Sequence, residues 1–361
     1  MKRFLLIQII LLFSLSTIFG QVAKYSNEFL SIGVGARSLG MANAYVAASN
    51  DVTSGYWNPA GLTHMTSEYQ VGLMHAEYFA GVAKYDYAGF AMQIDSMSSF
   101  GASIIRFGID DIPNTTELYD DQGNINYDRI TTFSAADYAM TFSYARRSKI
   151  KGLSFGGNVK IIYRQIGSFA KAYGFGLDVG VQYHLKKWRF GAMGRDITST
   201  FNAWTYDLSS DMKEVFEATG NEIPDNSLEL TLPRLLLGAG RYFIISKSIT
   251  AIVEADFDIT FDGKRNTLIK SNPISIDTRI GTEFSYKDIV FLRGGINNFQ
   301  TETDFGGKKT TTFQPNIGVG IRIKKIVSID YALTDIGDQS IALYSNIFSL
   351  RVDLGAKYSN N

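Results

Sequence analysis

Polar and apolar residues alternate one for one along much of this chain. From Tyr173 to Leu185 the odd positions are apolar or aromatic (Tyr173, Phe175, Leu177, Val179, Val181, Tyr183, Leu185), and the even ones are glycine or polar (Gly174, Gly176, Asp178, Gly180, Gln182, His184). Ile317, Val319, Ile321 and Ile323 alternate in the same way with Asn316, Gly318, Gly320 and Arg322. The last segment repeats the pattern, with Phe348, Leu350, Val352, Leu354, Ala356 and Tyr358 set against Ser349, Arg351, Asp353, Gly355 and Lys357. A period of two gives a strand two unlike faces. A soluble sandwich with one wet face would show the same alternation, so the choice rests on three other features.

The first is length. The alternating segments run to about 9 to 13 residues, enough for a tilted crossing of a bilayer, whereas globular strands cluster near about 5 or 6. The second is the polar face, which carries bulky charges of both signs: Lys160, Arg164, Glu254, Asp256, Asp258, Asp277, Arg279, Glu283, Arg322, Arg351 and Asp353. A wide wet lumen accommodates such groups. The third is the rhythm of connections. Strands read at 68–76, 85–95, 99–107, 137–148, 153–166, 172–185, 188–196, 234–243, 249–261, 275–285, 290–298, 314–323, 327–333 and 347–358 number about fourteen, even as in single-chain bacterial barrels. The long connections 108–132, 197–233, 262–273, 299–313 and 334–346 all follow odd-numbered strands, and short ones such as Lys186-Lys187 and Lys324-Lys325 follow even-numbered strands. The expected fold is an all-β transmembrane antiparallel barrel of about fourteen strands in a Gram-negative outer membrane. Its long loops would face outside and its N-terminal segment the periplasm.

The first residues suggest how it gets there. Lys2 and Arg3 precede an apolar run from Phe4 to Phe19, and Gly20-Gln21 offers a small residue for cleavage. That is the layout of a secretory signal peptide, and the run is short of the roughly 20 residues a spanning helix needs. The chain divides into a signal peptide (1–20), an N-terminal segment (21–66) and the barrel (67–361).

Composition narrows the function. The chain has no cysteine, which removes thiolate chemistry, iron–sulfur clusters and disulfides. Aromatics reach 13% and there are 34 glycines against 6 prolines, a mix that favours strands. Basic and acidic residues balance at 35 each, so no basic surface points to nucleic acid.

The segment 21–66 does not read as a strand. It is rich in glycine and small residues, and Asn58-Pro59-Ala60-Gly61 is a strong turn. Gly33 and Gly35 have the opening spacing of a dinucleotide fingerprint, but no strand–helix–strand unit follows them. A plug or hatch inside the barrel is the economical reading. The run from Ile32 to Leu62, with Gly-Ala-Arg-Ser-Leu-Gly-Met at 35–41, Asn50-Asp51-Val52 and Tyr56-Trp57-Asn58-Pro59-Ala60-Gly61, resembles the N-terminal signature of the PorV/PorQ family of Bacteroidota. That family is related to the FadL long-chain fatty-acid transporters, in which an Asn-Pro-Ala motif belongs to an N-terminal hatch inside a fourteen-stranded barrel. The resemblance implies a hatch motif at Asn58, Pro59, Ala60 and Gly61. Gly61 stands where the dedicated secretion-shuttle branch is expected to carry lysine.

Catalytic constellations are absent from the pattern. His64, His75 and His184 are far apart in sequence, and none has a second histidine or a carboxylate at metal-ligand spacing. His184 reads as a lumen or rim residue. Glu254, Asp256 and Asp258 share a strand face, where pairing with Arg or Lys of neighbouring strands is favoured over a cation site. No enzyme, cofactor or metal is expected. Two connections stand out: 108–132, which is acidic (Asp110, Asp111, Glu117, Asp120, Asp121, Asp128), and 197–233, with a helix at Asp211 to Thr219 that Ser209 or Ser210 would cap.

Two functions fit. An accessory subunit of a larger outer-membrane export or assembly machine, type IX secretion or a related one, would have lipid and other membrane proteins as partners. A transporter would pass a hydrophobic molecule through a hatch-gated lumen, with an apolar pocket near the hatch built from Leu39, Met41, Tyr45 and Trp57. The charged and glycine-rich lumen face tilts the reading toward the first.

Overall fold

Fourteen strands close on themselves. In the computed structural model they are β1 (Tyr69–Tyr78), β2 (Ala83–Gln93), β3 (Ser98–Asn114), β4 (Thr131–Arg147), β5 (Leu153–Ile166), β6 (Ala170–Leu185) and β7 (Trp188–Arg195), then β8 (Arg234–Ile244), β9 (Ile249–Thr260), β10 (Ser275–Tyr286), β11 (Val290–Thr303), β12 (Lys309–Ile323), β13 (Val327–Thr334) and β14 (Ser345–Leu354). The structure describes residues 26–116, 118, 124–303, 306–336 and 344–355, and no side chain is described for Asp211 or Glu302. The expected signal peptide, Glu117, Asp120 and Asp121 of the acidic loop, and Ala356, Lys357 and Tyr358 lie outside the described residues.

Each strand pairs antiparallel with its sequence neighbour, and the barrel closes where β1 pairs with β14 as well as β2, Tyr69 standing opposite Leu354 and opposite Met92. β7 pairs directly with β8 across the long connection between them. Closure removes the sheet's free edges, which hydrocarbon cannot solvate. Among the described residues no helix is long and apolar enough to cross a membrane.

The structure adds what alternation did not signal. β3 and β4 each run 17 residues, well past the segments read at 99–107 and 137–148. In their added ends the contrast in burial between the two faces fades. Within 197–233 a hairpin of Thr200–Tyr206 and Ser227–Thr231 extends the sheet on the upper half of β6. It flanks the helix Ser210–Ala218, capped by Ser209, whose side chain accepts from the Met212 amide at 3.2 Å.

The lumen is filled. Residues 26–67 fold into short turns, among them α1 (Ala36–Gly40), α2 (Ser54–Trp57) and a 3-10 turn at Pro59–His64, and nearly all of them are buried. The charges read as lining a wide wet lumen are therefore mostly buried and paired. Lys160 bonds Asp178 at 2.8 Å and also Asp196, Arg279 bonds Asp258 at 2.8 Å, and Arg293 bonds Glu283 at 2.6 Å and Asp330 at 2.7 Å.

Candidate functional site in the plugged lumen

Arg37 is the main polar anchor of the N-terminal segment. Its Nε and Nη2 donate to both oxygens of Glu283 on β10, at 2.9 and 2.8 Å, and Nη1 donates to the Tyr45 hydroxyl and to Asn50. A planar fork against a carboxylate is the geometry arginine offers and lysine does not. Asp51, fully enclosed, lies 3.1 Å from Arg351 of β14 and 3.7 Å from Arg37. Burial works to raise its pKa, but the two guanidiniums outweigh it and hold the carboxyl below its ordinary range.

The turn motif sits at the wall. Asn58 is completely buried. Its Nδ2 donates to the carbonyls of Val46, Val181 and Ala192, at 3.2, 3.0 and 3.4 Å, and its Oδ1 accepts from the Ala60 amide, opening the 3-10 turn. One side chain thus ties the plug to itself, to β6 and to β7. Pro59 starts that turn, where a missing N–H costs nothing.

Glycines on the inner face of the strands give the plug room. A Cβ on Gly180 would stand 2.2 Å from Asn58 Oδ1, and one on Gly156 would stand 2.6 Å from the Ala60 amide nitrogen. On the opposite wall, a Cβ on Gly281 would meet the Met41 carbonyl at 2.3 Å. Gly180 was visible in the sequence as a polar-face partner of alternation; its role as a seat for the plug was not.

Glu254 and Asp256 depart from the expected pairing. Asp258 does pair with neighbouring arginines, Arg279 and Arg234. Asp256 instead accepts from the amides of Tyr45 and Val46, at 2.8 and 2.9 Å, and Glu254 from those of Ala47 and Ala48, at 2.7 and 3.3 Å. Carboxylates two residues apart on one strand face meet successive amides of a plug turn, which no sequence pattern announces.

The histidines also differ from the sequence reading. His64 and His184, 120 positions apart, stack with ring centroids 3.7 Å apart and planes at 18°, because the end of the plug returns to the short-turn rim where β6 ends. His75 has a carboxylate partner after all, Asp86 at 2.7 Å, supplied by the neighbouring strand. Among the described residues no group of three or more His, Cys, Asp or Glu is arranged to hold a metal ion.

Of the four residues expected to border a hatch-side pocket, Leu39 lines a cavity at the long-loop end. Met41 is fully buried beneath Gly281 and Gly295. Tyr45 and Trp57 meet edge to face at 6.3 Å, and Trp57 donates its indole N–H to the Val34 carbonyl at 2.9 Å.

A closed antiparallel barrel of this strand number, with a buried N-terminal segment threaded through it, is the fold seen in FadL-like outer-membrane barrels. Solved structures of similar fold include the toluene transporter TodX of P. putida (14% identity, 89% of this chain and 99% of that one, TM-score 0.57). The toluene transporter TbuX of Ralstonia pickettii (14%, 89% and 98%, 0.54) and a FadL homologue of Pseudomonas aeruginosa (12%, 89% and 98%, 0.52) are similar too. By sequence alone no curated protein matches the chain. Residues 20–256 match the family described as type IX secretion system protein PorV, and the chain belongs to that family.

Proposed function

We propose that this barrel is an accessory subunit of a protein export or assembly machine of the outer membrane, docked sideways through the outer wall of β1 to β3. The observation that carries the reading is a break in the apolar outer surface. Residues directly opposite each other on neighbouring strands form one row around the wall: Tyr331, Phe348, His75, Asp86, Arg106, Tyr138, Tyr163 and Tyr173. Aromatic residues occupy both arms, as in the girdles of membrane barrels. The centre is ionic. His75 bonds Asp86 at 2.7 Å, Arg106 lies 3.7 Å from Asp86 and 3.6 Å from Asp110, and Lys84 lies 3.3 Å from Asp110.

This cluster sits in the girdle row, with His75 three residues from the end of β1 at Tyr78. His75 stands six residues, about 20 Å of strand, above Tyr69, and exposed apolar Phe79 and Val82 lie in the turn beyond it. At girdle depth such charges cost little against lipid, and their row offers fixed polar partners to a neighbouring protein wall. Just below, Ala88 stands between Leu73 and Ile104 and leaves an apolar depression of about 620 Å³, open to the outside. A second membrane-embedded chain with a polar row and one large apolar side chain would complement both features.

The test is extraction of the tagged protein from native membranes in mild detergent, comparing wild type with the combined His75→Leu, Asp86→Leu, Arg106→Leu variant. These changes suit lipid, so the barrel should fold, and a stoichiometric partner seen with wild type should be lost. An unchanged lone barrel in both preparations, carrying bound hydrophobic ligand, would replace the proposal with the alternative of hydrophobic transport. That alternative draws on the fold shared with the toluene transporters. Against it, the two lumen cavities beside the plug are lined mainly by charged and amide groups. In either case the orientation proposed has the long loops outside and the N-terminal segment entering from the periplasm.

A further inference from the structure

We infer that the cavity between the plug and the long-loop mouth is a binding site for a neutral, hydroxyl-rich ligand, a mono- or disaccharide unit. Nothing in this inference depends on the outer wall. The cavity has a volume of about 490 Å³, within the roughly 300–1,000 Å³ range of pockets that enclose small molecules.

Its lining is unusual for a barrel of hydrophobic-ligand type. Seven residues with side-chain amides line it: Asn43, Asn266, Asn297, Asn298, Gln300, Gln314 and Asn316. Strict alternation would let only one of the adjacent Asn297 and Asn298 reach the lumen. The pairing of β11 with β12 slips between Asn297 and Gln300, and Asn298 takes a φ of 50°. The bulge re-aims the strand so that all three amides line one cavity.

Four of the charged groups on the wall are matched to each other. Arg279 bonds Asp258 at 2.8 Å and Asp277 at 3.2 Å, and Arg234 lies 3.7 Å from Asp258. Such mutual pairing leaves little field for an ionised ligand but keeps many donors and acceptors in fixed positions. Asn43, Tyr78 and Asp258 also line the cavity, each with one further polar atom buried in the wall behind it. Opposite the amides, Ile32, Leu39 and the Tyr78 ring supply an apolar side. A sugar ring has the same two characters, a rim of hydroxyls and an apolar face. A peptide fits less well, because it is commonly held by an open strand edge or by apolar pockets, and the strands walling this cavity are paired on both sides.

The experiment is saturation-transfer NMR on the purified full-length barrel in a sugar-free detergent such as a dimethylamine oxide, since maltoside head groups would compete. The probes are glucose, galactose, mannose, N-acetylglucosamine and maltose, with the uncharged peptide Gly-Ser-Asn-Gly as the comparison. Saturation transfer to at least one saccharide is expected. Binding should weaken about tenfold in the combined Asn298→Leu, Gln300→Leu variant, the equivalent of one or two lost hydrogen bonds. Those residues are half-buried at a bulge, so the variant should keep the heat-resistant mobility of the folded barrel. Three results would overturn the inference: no transfer to any saccharide at millimolar concentration, transfer unchanged in the folded variant, or tighter binding of the peptide.

Discussion

Arg37 shows how much of the closed state hangs on single side chains. With Arg37 replaced by Ala, Glu283 keeps Arg293 but loses its fork partner inside the barrel, and Tyr45 and Asn50 lose a donor. Breaking a buried pair from one side costs about 3–5 kcal/mol, so a marked drop in the temperature of the heat-induced gel-mobility shift is expected. Arg37→Lys should recover only part of it, since an ammonium cannot span both carboxylate oxygens. His64 offers a second test. Burial, reinforced by Arg147 and Arg189, pushes its pKa down to about 4 from an ordinary 6.5, and it stacks on His184 and meets Ser154 Oγ at 3.2 Å. A depressed histidine pKa means the docked plug favours the neutral ring. Its contribution is therefore complete above pH 6.5 and falls as the pH drops from 6.5 toward 4. The full span corresponds to on the order of 3 kcal/mol. Unfolding midpoints of wild type should decline across that window more steeply than those of His64→Gln; parallel curves would show that His64 is not a group responsible.

At the scale of elements, the barrel wall and the plug are fitted through the inner-face glycines. Interiors pack at near-crystalline density and do not absorb an extra methyl group against a fixed carbonyl. Gly281→Ala puts a carbon where the Met41 carbonyl now stands, 2.3 Å away, while leaving the β10 backbone pairing intact. The expected outcome is a barrel that still assembles but with its plug displaced, read as increased single-channel conductance in planar bilayers. Conductance equal to wild type would mean that the plug shifts to accommodate the methyl without opening a path. The hairpin added to β6 belongs at this scale too. Its strand Ser227–Thr231 meets the start of the plug through Glu229 with Ser26 and Thr231 with Asn27. The connection 197–233 therefore helps hold the start of the plug.

For the whole molecule, the family and the fold point to an outer-membrane barrel of secretion or transport type. Among the described residues its interior is mostly occupied and its exterior carries an ionic row on β1 to β3. Fourteen strands and their order were legible because lipid on one side and a polar interior on the other enforce alternation on every crossing, and because loop length tracks the side of the membrane. The turn motif at Asn58 to Gly61 was legible from its residue types. What could not be read were the contacts across the lumen: Arg37 to Glu283, Asn58 to Val181, and the amides of 45–48 to Glu254 and Asp256. Each joins residues more than a hundred positions apart, and a polar inner face looks the same in sequence whether it meets water or a plug. The ionic row on the outer wall was hidden for a related reason. His75, Asp86 and Arg106 lie on three different strands and become neighbours only through register. The sequence by itself therefore determined the barrel, its strands and its buried turn, since a one-dimensional period suffices to assign faces. The closed lumen, the amide-lined cavity and the broken girdle were decided by the tertiary structure, because stagger between strands chooses which faces meet.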